Sequence, residues 1–329
     1  MIAPRTAPAT APQRSPSGLC RVHLSRDLPA IADLIEVAYQ DELALTDSNI
    51  VERLRQLAAM SPLIRVVDRV AAVLDGYVWI QDGKLVGNIT LGQGSSLPGA
   101  PIAGSWTISN VAVHPAYRGR GIAGRLVDAA LLHLRAIGAR CVLLQVRSNN
   151  APAVALYRHR GFAVYETITE LRLQNRWLRP AVVGTDPRVR PARARDITRV
   201  MQLARRNQPT LLRPLARIHP SDLGLALWQR LPRRVATWLG LPVPLVHVAH
   251  VSGRLVGYAR LASVNARMLR LEIGVVPGQD QDLIQSLVTT ALASARFAPW
   301  THVVADVPTD LPEARAALEA LGFESLREL

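Results

Sequence analysis

Four short motifs recur in the same order in the two halves of this chain, and that duplication restricts its possible folds more than any other feature. Arg26-Asp27-Leu28 opens an apolar-periodic stretch through Ile31, Leu34 and Ile35; Arg195-Asp196-Ile197 opens a similar one through Val200, Met201 and Leu203. Gly83-Lys84-Leu85-Val86-Gly87 has a near twin in Gly253-Arg254-Leu255-Val256-Gly257. Val113-His114-Pro115 matches Val275-Val276-Pro277, and Gly161-Phe162 matches Gly322-Phe323. The offsets lie between 161 and 170 residues. One such match is chance; four in register predict a duplicated domain. The 329 residues suffice for two domains, at roughly 100–200 residues each. The expected layout is a disordered tail over 1–18, a first domain over 19–178, a linker over 179–188 and a second domain over 189–329. The linker holds Pro180, Gly184 and Pro187 and lacks a clear period.

Within the first copy the periodicity alternates. Helices are expected over 31–39 and 48–58, the second capped by Asp47 or Ser48. Strands are expected over 77–80 and 85–91 around the turn Asp82-Gly83, and over 108–113. A long amphipathic helix over 121–137 closes at Gly138, and a buried strand covers 142–146. A helix over 152–160 ends at Gly161, and the chain returns as strand over 162–173. The fold class is therefore α/β (α+β): two tandem domains, each a mixed, largely antiparallel sheet flanked by helices. The second copy has a different middle over 205–245, where Pro209, Pro214, Pro220 and Pro232 forbid one long helix. Short packed helices are expected there, ahead of a helix lying on a membrane surface.

Apolar residues make up 49% of the chain, but no apolar run approaches the length of a membrane helix. The tail lacks the apolar core of a secretory signal. A cytoplasmic protein with no membrane partner is expected. Cys20 and Cys141 have neither metal-ligand spacing nor a disulfide framework, so no metal site is expected. The formal net charge is +14, and Lys84 is the only lysine. A coding bias toward G and C gives that arginine excess without a functional cause. Zinc fingers, RNA-binding signatures and helix-turn-helix motifs are absent, and aromatics for base stacking are few, so nucleic acid is not an expected partner.

The chemistry is concentrated in Val111-Ala112-Val113-His114-Pro115-Ala116-Tyr117-Arg118-Gly119-Arg120-Gly121-Ile122-Ala123-Gly124. An apolar strand ends at Pro115, a loop rich in Gly and Arg follows, and a long helix starts at once. Glycines let a backbone approach its ligand, and the unpaired amides of a helix start face an anion. This is the pattern of a phosphate cradle. The glycine spacing does not suit a dinucleotide-binding fold, and the acidic residue such a fold needs is missing. Downstream lies Asn150-x-x-Ala153-x-x-Leu156-Tyr157-x-x-x-Gly161-Phe162.

Together, in this order, the two segments resemble the GNAT superfamily of N-acetyltransferases. The signature Arg/Gln-x-x-Gly-x-Gly/Ala reads here as Arg118-x-x-Gly121-x-Ala123. The resemblance covers 21–173 and extends more weakly into the second half. It implies acetyl-CoA as cosubstrate. It further implies that Val111, Ala112 and Val113 hydrogen-bond the pantetheine arm. Behind Arg118, the amides of Gly119, Arg120, Gly121, Ile122, Ala123 and Gly124 would bind the pyrophosphate. Asn150 would contact the cofactor arm, and Tyr157 would protonate the departing thiolate. The implied activity is acetyl transfer to a primary amine of a small molecule or a protein N-terminus; the alternative is a non-catalytic acyl-CoA-binding sensor. A general base is not evident. Water held by Ser109, Asn110 or backbone could serve, as could Glu36, Asp41, Glu42 or Glu166, whereas His114 reads as an ordinary surface residue.

In the second copy, Asp280 stands at the place of Arg118, Leu283 at that of Gly121, Leu318 at that of Tyr157 and Leu311 at that of Asn150. Acidic groups there oppose a pyrophosphate. A degenerate copy kept as scaffold is expected. In tandem relatives such as the mycothiol synthases the C-terminal copy usually carries catalysis, so an intact N-terminal signature departs from that pattern.

Overall fold

The computed structural model describes residues 17–40, 50–59, 75–94, 102–174, 186–215, 245–265, 267–295 and 300–329. Nearly all of the expected tail, most of the linker, the cap at Asp47 or Ser48 and much of the variable middle of the second half lie outside these residues.

Strands β1 (Gly18–Arg21), β2 (Asp75–Gln81), β3 (Lys84–Gln93), β4 (Ser105–Val113) and β5 (Cys141–Leu144) form a five-stranded sheet in chain order. Its neighbours are antiparallel except β4 and β5, which run parallel. A parallel pair needs a crossover, supplied by helix α3 (Ile122–Ala136). The β2–β3 hairpin turns through Asp82 (φ 50°) and Gly83 (φ 73°), the left-handed pair that a tight hairpin demands. Helices α1 (Leu24–Ala38) and α2 (Ile50–Ala59) bury Leu28, Ile31, Leu34, Ile35, Val51 and Leu54 against Val78, Ile80 and Leu85. Helix α3 lies so close to β3 that a Cβ on Gly87 would stand 3.0 Å from Ile122 Cγ2 and 3.1 Å from Leu126 Cδ1. That contact gives the repeated Leu-Val-Gly its physical reason.

The second unit holds helix α4 (Ala151–Arg158), β6 (Ile168–Gln174), β7 (Val189–Pro191), helix α5 (Ile197–Arg206), β8 (Leu245–Val251), β9 (Arg254–Asn265) and β10 (Met268–Val275). It continues through helix α6 (Gln281–Ser294), β11 (His302–Pro308), helix α7 (Pro312–Ala320) and β12 (Glu324–Glu328). Its sheet has seven strands in the order β12-β6-β11-β10-β9-β8-β7, antiparallel except for β10 with β11. Leu283, Leu287, Val288 and Leu292 of α6 pack with Ala314, Ala317 and Leu318 of α7 over Leu171, Leu261 and Leu271.

The repeats are equivalent in detail. His114 N–H donates to Val86 O at 2.9 Å, and Val276 N–H to Val256 O at 2.8 Å. Asp27 and Asp196 are both buried, and each carboxylate accepts a 2.8 Å bond from a backbone N–H just upstream, that of His23 or Arg193. Asp196 also accepts from Arg190 at 2.6 Å, which holds its carboxyl down at about 2.

The strand expected over 162–173 is shorter and lies elsewhere. Residues 162–167 form no strand, and β6 sits between β11 and β12 instead of closing the first sheet. There both of its edges find ladder partners: Leu171 faces Ala305 on one side and Ser325 on the other. A strand that carries an apolar face and two unsatisfied edges is stabilised wherever all three are met.

Candidate active site

The site begins with an irregularity in β4. The ladder to β3 pairs Thr90 with Ser109 and Asn88 with Ala112, so β4 carries one extra residue between them. Asn110 takes up the bulge with φ 50°, a left-handed conformation that asparagine tolerates better than most residues. Side-chain hydrogen bonds, one from the buried Asn88, pin it. Asn88 Nδ2 donates to Asn110 O at 3.0 Å, and Asn110 Nδ2 to Thr90 Oγ1 at 3.4 Å. On the other edge, β4 pairs with β5 only from Ser105 to Ile108. Beyond that point no described strand pairs with residues 109–113 on the β5 side. Val111, Ala112 and Val113 therefore line the opening. The Tyr39 hydroxyl donates to Val111 O at 2.8 Å and anchors α1 to the bulged strand.

The loop after β4 opens with a single 3₁₀ turn, Pro115–Tyr117, capped by His114 Nδ1, which accepts from Ala116 N–H at 3.3 Å. Arg118 ties the loop down: its Nε donates to Val113 O at 3.3 Å and its Nη2 to Ala38 O, at the end of α1, at 3.2 Å. Arg120 reaches back to Ala116 O at 3.3 Å and stacks over Tyr117, 4.9 Å from the ring centre. Gly119 (φ 76°) and Gly121 (φ 74°) are left-handed, and a Cβ on either would point into open space. Gly121 caps α3 without a side-chain bond. In consequence the six consecutive N–H groups from Gly119, Arg120, Gly121, Ile122, Ala123 and Gly124 have no acceptor among the described residues. Free amides in a left-handed turn, at the positive end of a 15-residue helix, form a nest for an anion.

Asn150 and Tyr157 stand on α4 in the second unit. Asn150 Oδ1 caps the helix by accepting from Ala153 N–H at 3.2 Å, which leaves its amide group for a ligand. The loop before it is held from the far end of the chain: Ser148 N–H donates to Glu328 O at 3.0 Å. The Tyr157 ring is buried and packs edge-on to Phe162, centroids 5.8 Å apart. Its hydroxyl has no partner among the described residues, yet it is not one of the fully enclosed polar atoms. Burial pushes the phenol up to about 12.

Of the base candidates, Asp41 and Glu42 lie outside the described residues. Glu36 is exposed and bonded to Arg55 at 2.6 Å. Glu166, in the second unit, is half-buried, and burial together with the charges of Asp310 and Asp306 pushes its carboxyl up to about 7. Sequence reasoning missed Tyr39, Asn88 and Thr90. The one signal was a buried asparagine inside an otherwise apolar strand.

The corresponding loop of the second copy is filled from within. Gly278 is left-handed at φ 81°, but its N–H donates to the Glu313 carboxylate at 3.3 Å. Asp280 stands at the N-cap position of α6 without a side-chain bond, Asp282 follows in its first turn, and Leu283 is buried in the core.

Residues 57–162 match the Acetyltransferase (GNAT) family model. The mycothiol acetyltransferase of Corynebacterium glutamicum (strain R) is 51% identical over 57 residues, 17% of this chain and 20% of that protein. That of Saccharomonospora viridis is 46% identical over 57 residues, 17% of this chain and 19% of its own length. The chain thus spans about a fifth of the length of these curated relatives. Among solved structures, a tandem GNAT protein from the clavulanic acid biosynthesis pathway has a TM-score of 0.53 at 16% identity, covering 95% of this chain and 96% of its own. A GCN5-related N-acetyltransferase from Sphaerobacter thermophilus has a TM-score of 0.57 at 16% identity, covering 94% and 93%. Over residues 57–162 the chain is similar to GNAT acetyltransferase domains. The fold is that of tandem GNAT proteins.

Proposed function

We propose that this chain is an N-acetyltransferase that moves an acetyl group from acetyl-CoA to a primary amine of a small molecule or a protein N-terminus. The observation that carries this reading is the run of six unpartnered amides from Gly119 to Gly124, directly after a strand whose β5 edge is open. The amides suit the pyrophosphate, and the strand edge at Val111, Ala112 and Val113 suits the amide groups of a pantetheine arm. Arg118 serves as the strut that keeps the loop in place. Asn150 has a free amide for the arm.

The neutral amine attacks the thioester carbonyl carbon, forming the C–N bond. Strand amides near Val113 stabilise the oxyanion. The C–S bond then breaks, Tyr157 delivers its proton to the thiolate, and the ammonium gives one proton to a base. The second copy serves as scaffold, since Glu313 already holds its loop amide. Similarity to mycothiol acetyltransferases over 57 residues supports a shared acetyl-donor site more than a shared acceptor.

Calorimetric titration of acetyl-CoA into the full chain tests the reading. One site per chain is expected, abolished by Gly121→Glu, which forces a side chain into φ 74° and puts a carboxylate in the nest. Two sites, or binding that survives the substitution, would overturn it.

A further inference from the structure

Some described arginines sit against a carboxylate: Arg21 with Asp75, Arg190 with Asp196, Arg260 with Glu272, Arg327 with Glu170. Three others gather at the end of α5. Arg205 and Arg206 occupy its last turn, and the chain then folds back through a turn in which Leu212 and Arg213 N–H both donate to Pro209 O at 2.9 Å. Buried Leu212 anchors that turn. Arg213 is thereby returned to the helix end, where its Nη2 donates to Arg206 O at 2.9 Å and Gln208 O at 3.2 Å. Arg205, Arg206, Gln208 and Arg213 line one concavity of about 360 Å³. None of the three guanidinium groups has a carboxylate partner among the described residues.

The negative end of the helix dipole accounts for cations at Arg205 and Arg206. Arg213 comes from outside the helix, caps the same end through Arg206 O, and is fixed by two carbonyls before any ligand arrives. Converging like charges repel, and an anion relieves them. Two of the five N–H donors of Arg213 are used on backbone, so three remain in a set geometry. Gln208 adds a neutral amide able to meet a hydroxyl. The volume lies at the lower end of small-molecule sites.

We propose that this basin is a binding site for a small phosphorylated molecule, with Arg205, Arg206 and Arg213 holding the phosphoryl group and Gln208 the neutral part. It is built from other residues than the nest at Gly119–Gly124 and does not depend on the acetyltransferase reading.

The test is calorimetric titration of inorganic phosphate, pyrophosphate and glucose 6-phosphate into the full chain carrying Gly121→Glu, so that the other nest is silent. Saturable binding at one site per chain is expected, weakening with added salt. Arg213→Gln should weaken it about tenfold or more, at the scale of a lost charged hydrogen bond. Arg206→Gln should do the same, with thermal melting as the control for folding. Absence of saturable binding, or binding unchanged by either substitution in a folded protein, overturns the proposal. So does tighter binding of a single-stranded oligonucleotide that both substitutions abolish, because the partner is then a polymer.

Discussion

At the scale of single residues, the environment of Tyr157 decides which roles it can fill. A phenol pushed up to about 12 by burial keeps its proton through the whole working range, so it is always ready as a donor and never titrates into a base. Tyr157→Phe is expected to lower kcat by about two to four orders of magnitude while leaving the KM for acetyl-CoA nearly unchanged. Equal loss in both would reduce the ring to packing against Phe162. Glu166 behaves in the opposite sense. Its folded carboxyl, near 7, lies above the unfolded value of 4.5. The native state therefore binds more protons than the unfolded one between these limits, and stability falls as pH rises through that window. Glu166→Gln should melt higher than the parent chain at pH 8 and much like it below pH 4.5; a melting difference independent of pH would contradict the assigned burial. The loop glycines ahead of α3 and the helix that carries Tyr157 could be read in advance because each lies in a contiguous segment, whereas the capping bond of Asn150 was not foreseen. Tyr39 could not, because its acceptor at Val111 lies 72 residues away and local pattern holds no trace of it.

At the scale of elements, the bulge in β4 is the device that ends the β4–β5 ladder and exposes the strand edge. Asn88 holds it, and removing that side chain leaves Asn110 O without its buried donor. Asn88→Ala is expected to cost about 1–3 kcal/mol in denaturant unfolding. It should also raise the KM for acetyl-CoA more than it lowers kcat, since the strand edge loses its shape before the chemistry loses a group. A stable variant with unchanged KM would place the bulge outside the cofactor site. The strands and helices of the first copy were legible where period was strong: 85–91 became Lys84–Gln93, and 121–137 became Ile122–Ala136. Over 162–167 the pattern failed, because the apolar residues there are not buried on a sheet face: Val164 is exposed and Phe162 only half-buried. The bulge itself was illegible, since its left-handed residue is an asparagine and no glycine marks the place.

At the scale of the whole chain, the motif repeat announced two copies but not that β6 would lie between β11 and β12, or that Glu328 would hold the loop before Asn150. Partners more than 150 residues apart leave no period to read. The arrangement predicts that residues 1–178 expressed alone will aggregate, because β6 then presents two bare edges. Co-expression with residues 179–329 should recover a complex that travels as one species in gel filtration; a monodisperse 1–178 fragment would count against the exchange. The second copy carries one more consequence. Glu313 answers its loop amide, Asp280 and Asp282 charge its helix start, and Leu283 belongs to the core. Each opposes a pyrophosphate, and no single substitution removes all three. If the second copy is the scaffold proposed above, such redundant closure works as a ratchet: that half is free to drift in every direction except toward an anion site.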